Sequence, residues 1–216
     1  VGSEMCIRDR NRIISSLFLL CLIFRLPCNA QQERINLAGS WKFSLDSTKF
    51  DSEINLPGST DEAGIGKKHI AGTKLYMGNS EIWQLARKNV FIGIAWYQKK
   101  VEIPKEWEDK RVILSLERCM WQTRLWINGH YVDEEHSLCT PHQYDISGYL
   151  KAGSNEIRLS IDNSPYVHLG SWSHGYAPGI QTIWNGAIGD LFLEAKDKIS
   201  VEGIQCYPSF KYMTKI

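Results

Sequence analysis

Between positions 93 and 163 the chain alternates apolar and polar residues in short runs, each closed by turn chemistry. A period of two is the mark of half-buried β-strands. Residues 95–103 (AWYQKKVEI) are aromatic and β-branched, and Pro104 ends the run because proline cannot donate to a ladder. In 111–116, Val112, Leu114 and Leu116 alternate with Ile113 and Ser115. In 123–127, Leu125 and Ile127 alternate with Arg124 and Trp126 and then meet Asn128-Gly129. That dipeptide suits both positive-φ positions of a type I′ turn, so it predicts a hairpin returning through His130-Tyr131-Val132. Residues 156–161 form the next strand, after a turn at Gly153-Ser154-Asn155. Asp145 is placed to cap a single helical turn, with Ile146 and Leu150, four apart, both facing inward.

The flanks complete an all-β reading. Residues 35–45 (INLAGSWKFSL) put Leu37, Gly39, Trp41, Phe43 and Leu45 on one side and predict one continuous first strand with Trp41 in the core. A short strand at 53–56 is stopped by Pro57-Gly58, and 191–195 closes the set. Two irregular stretches interrupt it. Residues 59–94 have several glycines and no sustained period, beyond a weak helical fragment at 81–87, and loops this long are usually functional or mobile. Residues 163–186 (NSPYVHLGSWSHGYAPGIQTIWNG) interleave Tyr166, His168, Trp172, His174, Tyr176 and Trp184 with Gly and Ser. The pattern predicts one antiparallel sheet system, not a nucleotide-binding fold.

Composition narrows the function classes. The 216 residues are 43% apolar and 23% charged, with a formal net charge of +1. Without the four arginines and two acids of the first thirty residues the balance is about −1, and no basic face of the kind nucleic acids require is present. The 186 residues that remain suffice for one sizeable core.

Residues 1–30 read as a leader. The first ten (VGSEMCIRDR) fit nothing that follows and look like translated vector sequence; a native n-region contributing Arg8, Arg10 and Arg12 is the competing reading. Residues 13–24 have only Ser15 and Ser16 polar, too short a run to span a bilayer comfortably, and Cys28-Asn29-Ala30 follows as a small-residue exit. This is the anatomy of a signal peptide at 11–30 cleaved after Ala30, which predicts export to the periplasm or outside the cell. Lipid anchoring at Cys28 is the rival, with Arg25-Leu26-Pro27 a poor lead-in for it. No other apolar run reaches transmembrane length.

Beyond the leader stand Cys119, Cys139 and Cys206, an odd number that leaves any disulfide framework incomplete. Cys119 and Cys139 can pair if the fold brings them within range; two free thiols is the alternative. No Cys-x-x-Cys occurs, and His168 and His174 lack a convincing third ligand, so neither metal nor cofactor is expected.

Six motifs fall in one order: Gly-x-Ala-Trp-Tyr from Gly93, x-Ile-Pro-x-x-Trp ending at Trp107, Trp-Ile-Asn-Gly from Trp126, Thr-Pro-His-x-Tyr-Asp-Ile from Thr140, Gly-x-Asn from Gly153, and Ile-Asp-Asn from Ile161. Together they resemble the N-terminal sugar-binding domain of glycoside hydrolase family 2, over roughly 37–208. The resemblance implies an antiparallel jelly-roll β-sandwich at 31–196 and, at 197–216, the truncated start of an immunoglobulin-like domain. It implies an oligo- or polysaccharide substrate. It also implies that two catalytic glutamates lie in a C-terminal (β/α)₈ barrel outside this sequence, which this domain would contact. Within the sequence, Asp61-Glu62 and Asp133-Glu134-Glu135 read as solvated acidic turns rather than a catalytic pair.

Sugars bind to flat aromatic faces, with amides and hydroxyls reading the ring hydroxyls. Gln181, Thr182, Trp184, Asn185 and, nearby, His174 supply such groups, and the resemblance puts them at the rim of the parent's active site. Trp184 as a core residue is the competing reading. Tyr76, Trp83 and Phe91 either line a glycan path or pack the first loop onto the sheet. In family β-galactosidases and β-glucuronidases an acidic residue stands two positions before this aromatic; here it is Thr182, which offers no charge-assisted acceptor. Three readings follow: part of an exported hydrolase, a stand-alone carbohydrate-binding module, or a sandwich without glycan affinity. The strand starting at 198–208 favours the first.

Overall fold

The structure is a computed structural model that describes residues 33–68, 88–165, 184–200 and 205–207. The leader, the fragment at 81–87, Tyr76, Trp83, and His174, Gln181 and Thr182 lie outside the described residues. The fold is an antiparallel β-sandwich. One sheet runs β1 (Glu33–Asn36), β13 (Gly186–Lys196), β8 (Arg111–Cys119), β11 (His142–Asp145), with β4 (Gly58–Ser59) paired to the start of β13. The other runs β10 (His130–His136), β9 (Gln122–Ile127), β12 (Gly153–Asp162), β7 (Ile94–Ile103), β2 (Gly39–Ser44), β3 (Ser52–Leu56). A small ribbon joins β5 (Lys67–Lys68) to β6 (Asn89–Val90).

The alternation read from the sequence is the alternation of burial. In β9 Thr123, Leu125 and Ile127 are buried; in β12 Ile157, Leu159 and Ile161 are, and the two sets lie opposite each other. Burying such a side chain contributes about 1.5–3 kcal/mol, so register in the central strands is strongly specified. Asn128 and Gly129 both have positive φ, 51° and 82°, and close the predicted hairpin. Asn128 also fastens it to the next strand: its Nδ2 donates to Asn155 Oδ1 at 2.8 Å and its Oδ1 accepts the Glu156 N–H at 3.0 Å. The return strand runs beyond the predicted Val132, with a register shift between Tyr131 and Asp133.

Three expectations are corrected. The first strand is two: β1 pairs with β13 in one sheet and β2 with β3 and β7 in the other. The chain crosses between sheets at Leu37-Ala38, where Asn36 Oδ1 accepts the Ala38 N–H at 2.8 Å and Gly39 takes a φ of 105° that a side chain would resist. Leu37, Trp41 and Phe43 are buried as expected, but Leu45 lies past the end of β2 and is 52% exposed. The helical turn is a single 3₁₀ turn, Ser147–Tyr149, and Asp145 accepts the N–H and hydroxyl of Ser147, at 3.1 and 2.6 Å, from outside it. Of the two readings left open for Cys119 and Cys139, the structure has the free thiols, one buried and one exposed. Of the strand expected at 198–208, residues 198–200 and 205–207 are not in strand, and the rest lies outside the described residues.

Candidate functional site

The irregular stretches leave and enter the sandwich at one end, and buried amides hold their stems there. Ile161 and Asp162 end β12, Ile94 begins β7, Cys119 ends β8 and Gly186 begins β13. Asn163, 1% exposed, follows β12. Its Oδ1 accepts the Gly93 N–H at 2.8 Å and its Nδ2 donates to the Phe91 carbonyl at 2.9 Å. Asn185, fully buried, precedes β13; its Nδ2 donates to the carbonyls of Ile161 at 2.8 Å and Gly93 at 3.1 Å. Tyr97, on β7, donates its phenol to Asn185 Oδ1 at 2.9 Å, and burial pushes that phenol's pKa well up, so it stays a neutral donor. The Asn185 backbone carbonyl accepts the Thr60 N–H at 2.8 Å.

Around this base sits an indole pair. Trp121, in the short turn between β8 and β9, donates Nε1–H to the Ser164 carbonyl at 2.8 Å and packs with Met120. Trp184 is half-buried against these two, outside the main core cluster. The Trp121 ring meets the His136 ring edge-on at 6.0 Å. His136 Nε2 is 3.1 Å from Glu134, whose second oxygen accepts from Arg124 Nε at 2.8 Å. Those bonds, Arg124's first, hold the Glu134 carboxyl below its usual range.

The predicted site residues therefore divide. Trp184 is at the surface, beside a second indole. Asn185 is in the interior: both its amide hydrogens are bonded and its oxygen accepts from Tyr97, so in this conformation it holds the loop stem and does not face a ligand. Phe91 packs against the core edge. Asp61 accepts the Asn89 N–H at 2.7 Å, and Asp133 to Glu135 lie on β10 rather than in a turn. Among the described residues no three metal-ligating side chains come together.

One aromatic surface escaped the sequence reading. Because Leu125 and Ile127 point inward, Trp126 faces the outside of the six-stranded sheet, tilted against Trp96 at 5.3 Å and edge-on to Tyr131 at 5.5 Å. Arg158 lies 4.7 Å over the Trp96 ring. The signal was there, in aromatic residues at outward positions of three strands.

Residues 34–186 match the glycosyl hydrolases family 2, sugar binding domain. The chain belongs to that family. A β-galactosidase from Streptococcus thermophilus is 25% identical over 191 residues, an alignment covering 86% of this chain and 18% of the enzyme. A putative β-glucuronidase from Formosa agariphila is 28% identical over 177 residues, covering 75% and 16%. Among solved structures, a β-glycosidase from Bacteroides vulgatus superposes with a TM-score of 0.54 at 26% identity, covering 76% of this chain and 20% of that one. The matched part thus spans less than a quarter of the length of each of these three proteins. The family match ends at Gly186, immediately after Trp184 and Asn185.

Proposed function

We propose that this chain is the N-terminal sugar-binding part of an exported family 2 glycoside hydrolase, and that its loop end forms part of the rim of the active site. In this reading O-glycosyl hydrolysis is carried out, with retention, by two glutamates of a C-terminal barrel. The sandwich contacts that barrel and lends it an aromatic wall. The observation that carries the reading is Trp184: it sits outside the main core, next to Trp121, at the end of the sandwich where both irregular stretches are rooted. Gln181, Thr182 and His174 stand near it in sequence and supply amide, hydroxyl and imidazole groups for ring hydroxyls. Export is supported by the apolar run at 13–24 and the small-residue exit at Cys28-Asn29-Ala30. Among the described residues no helix is long and apolar enough to cross a membrane.

The test uses the full-length hydrolase read from the gene. Trp184→Ala is expected to lower kcat/KM on the preferred aryl glycoside at least about tenfold, which is about 1.4 kcal/mol of transition-state binding. Its cost in stability should fall well short of the roughly 3–5 kcal/mol of a core tryptophan. An unchanged kcat/KM would remove the rim role. A panel of β-galactosides, β-glucuronides and β-mannosides identifies the sugar, and Thr182→Asp tests whether the missing carboxylate sets the preference.

A further inference from the structure

The two buried asparagines bracket the 164–184 connection, and both close on one residue. Gly93 gives its N–H to Asn163 Oδ1 at 2.8 Å, and its carbonyl accepts Asn185 Nδ2 at 3.1 Å and the Asn163 N–H at 3.4 Å. Gly93 itself is the last residue before β7, at the end of the other irregular stretch. Each amide donates and accepts at once in a dry site without carrying a charge. Asn185 ties together β12 through Ile161, β7 through Tyr97 and, through its backbone carbonyl, the turn at Thr60.

We propose that Asn163, Gly93 and Asn185 form a clasp that makes the stems of the two irregular stretches one mechanical unit and fixes the direction in which Trp184 leaves the sandwich. Asn163 and Asn185 are then positioning residues for the rim. The functional part of this rests on the reading of Trp184 given above; the clasp itself does not. It has a distinctive consequence. Among the described residues the Asn163 side chain bonds to Phe91 and Gly93, so the clasp carries an effect of its removal to Trp184 through Gly93 and Asn185. The other route runs along the backbone to Ser164, whose carbonyl holds Trp121, and amide exchange at Thr60, bonded to Asn185, separates the two.

The experiment labels the 216-residue chain with 5-fluorotryptophan and identifies the Trp184 ¹⁹F resonance by its loss in Trp184→Phe. Asn163→Ala is expected to shift or broaden that resonance and to speed amide exchange at Thr60, whose N–H is held by Asn185, at least about tenfold. The ladder amides of β9 and β10 should keep their protection. Asn163→Asp keeps the acceptor for the Gly93 N–H but sets a buried carboxylate against the Phe91 carbonyl, and is expected to perturb the Trp184 resonance at least as much as Asn163→Ala. Faster exchange confined to Phe91 and Gly93, with Trp184 and Thr60 unmoved, overturns the clasp. Should Asn163→Ala not fold, Tyr97→Phe carries the same test, since it removes only the phenol bonded to Asn185; an unmoved Trp184 resonance there also overturns it. In the full-length hydrolase, Asn163→Ala is expected to raise KM more than it lowers kcat. A shifted Trp184 together with faster exchange at Thr60 and unaltered kinetics upholds the clasp and refutes the rim reading alone; a shifted Trp184 with Thr60 unmoved overturns the clasp.

Discussion

A methyl group on Gly186 would stand 2.2 Å from the Gly58 carbonyl oxygen and 2.9 Å from Ser59 Cα, both backbone atoms of β4. The φ of 139° adds a conformation that side chains resist. Gly186→Ala should therefore destabilise by at least about 1–3 kcal/mol from the strained backbone alone, before β4 is pushed away. Gly148→Ala, with nothing within 4 Å, should stay within about 0.5 kcal/mol. Urea melts of the two variants check the contrast; equal midpoints would show that β4 yields freely. Next door, Asn185 shows what local sequence cannot convey. An amide and a hydroxyl beside an indole are equally the ingredients of a sugar subsite and of a buried anchor. Only the burial of the position separates the two, and burial depends on Tyr97, Gly93 and Ile161, residues far away in the chain. Asn185→Ala accordingly belongs among the variants that unfold the stem, not among mild probes of selectivity.

At the scale of elements, the strands with a clear period of two were legible because alternation reports burial directly. The corner at Leu37-Ala38 was not, and for a physical reason. A strand that crosses from one sheet to the facing one keeps sending alternate side chains into the same core, so Leu37, Trp41 and Phe43 look continuous across it. The edge strand β11 shows a second device. Among the described residues its ladder partner is β8 alone, and His142 and Tyr144 reach across the core to Thr123 on the opposite sheet. His142 donates Nε2–H to the Ser137 carbonyl at 3.1 Å, so Nδ1 accepts from the Thr123 hydroxyl. Burial holds its pKa below the ordinary 6.5, against the Ser137 bond and Glu135, which raise it, while His136 lowers it. The unfolded chain then takes up the proton first. The stabilisation is complete above about pH 6.5 and is lost as the pH falls through the lower folded value. Denaturation midpoints should drop from pH 7 to 5, and His142→Gln should flatten that slope; an unaltered slope would mean that another group is titrating.

On the scale of the whole molecule, the sandwich has two unlike ends. At one, Asn128 and Asn155 lock the hairpin near the point where β13 hands on the chain at Lys196; at the other, Asn163 and Asn185 root the irregular stretches. Both ends contain an Asn-Gly step, at Asn128-Gly129 and Asn185-Gly186. In a flexible chain this is the dipeptide most prone to chemical ageing: the glycine nitrogen attacks the asparagine side-chain carbonyl, ammonia leaves, and water opens the ring to an acid. Folding protects Asn185, since its side chain is pinned by Tyr97 and two carbonyls and Gly186 is held in β13. Each excursion to the unfolded state removes that protection. A carboxylate formed there would return to face the Ile161 and Gly93 carbonyls without its two hydrogens, a buried charge with no partner. Peptide mapping after repeated heating should find deamidation at Asn185 concentrated in the fraction that no longer refolds. The residue that anchors the loop thereby also sets how many times the molecule can be unfolded and recovered.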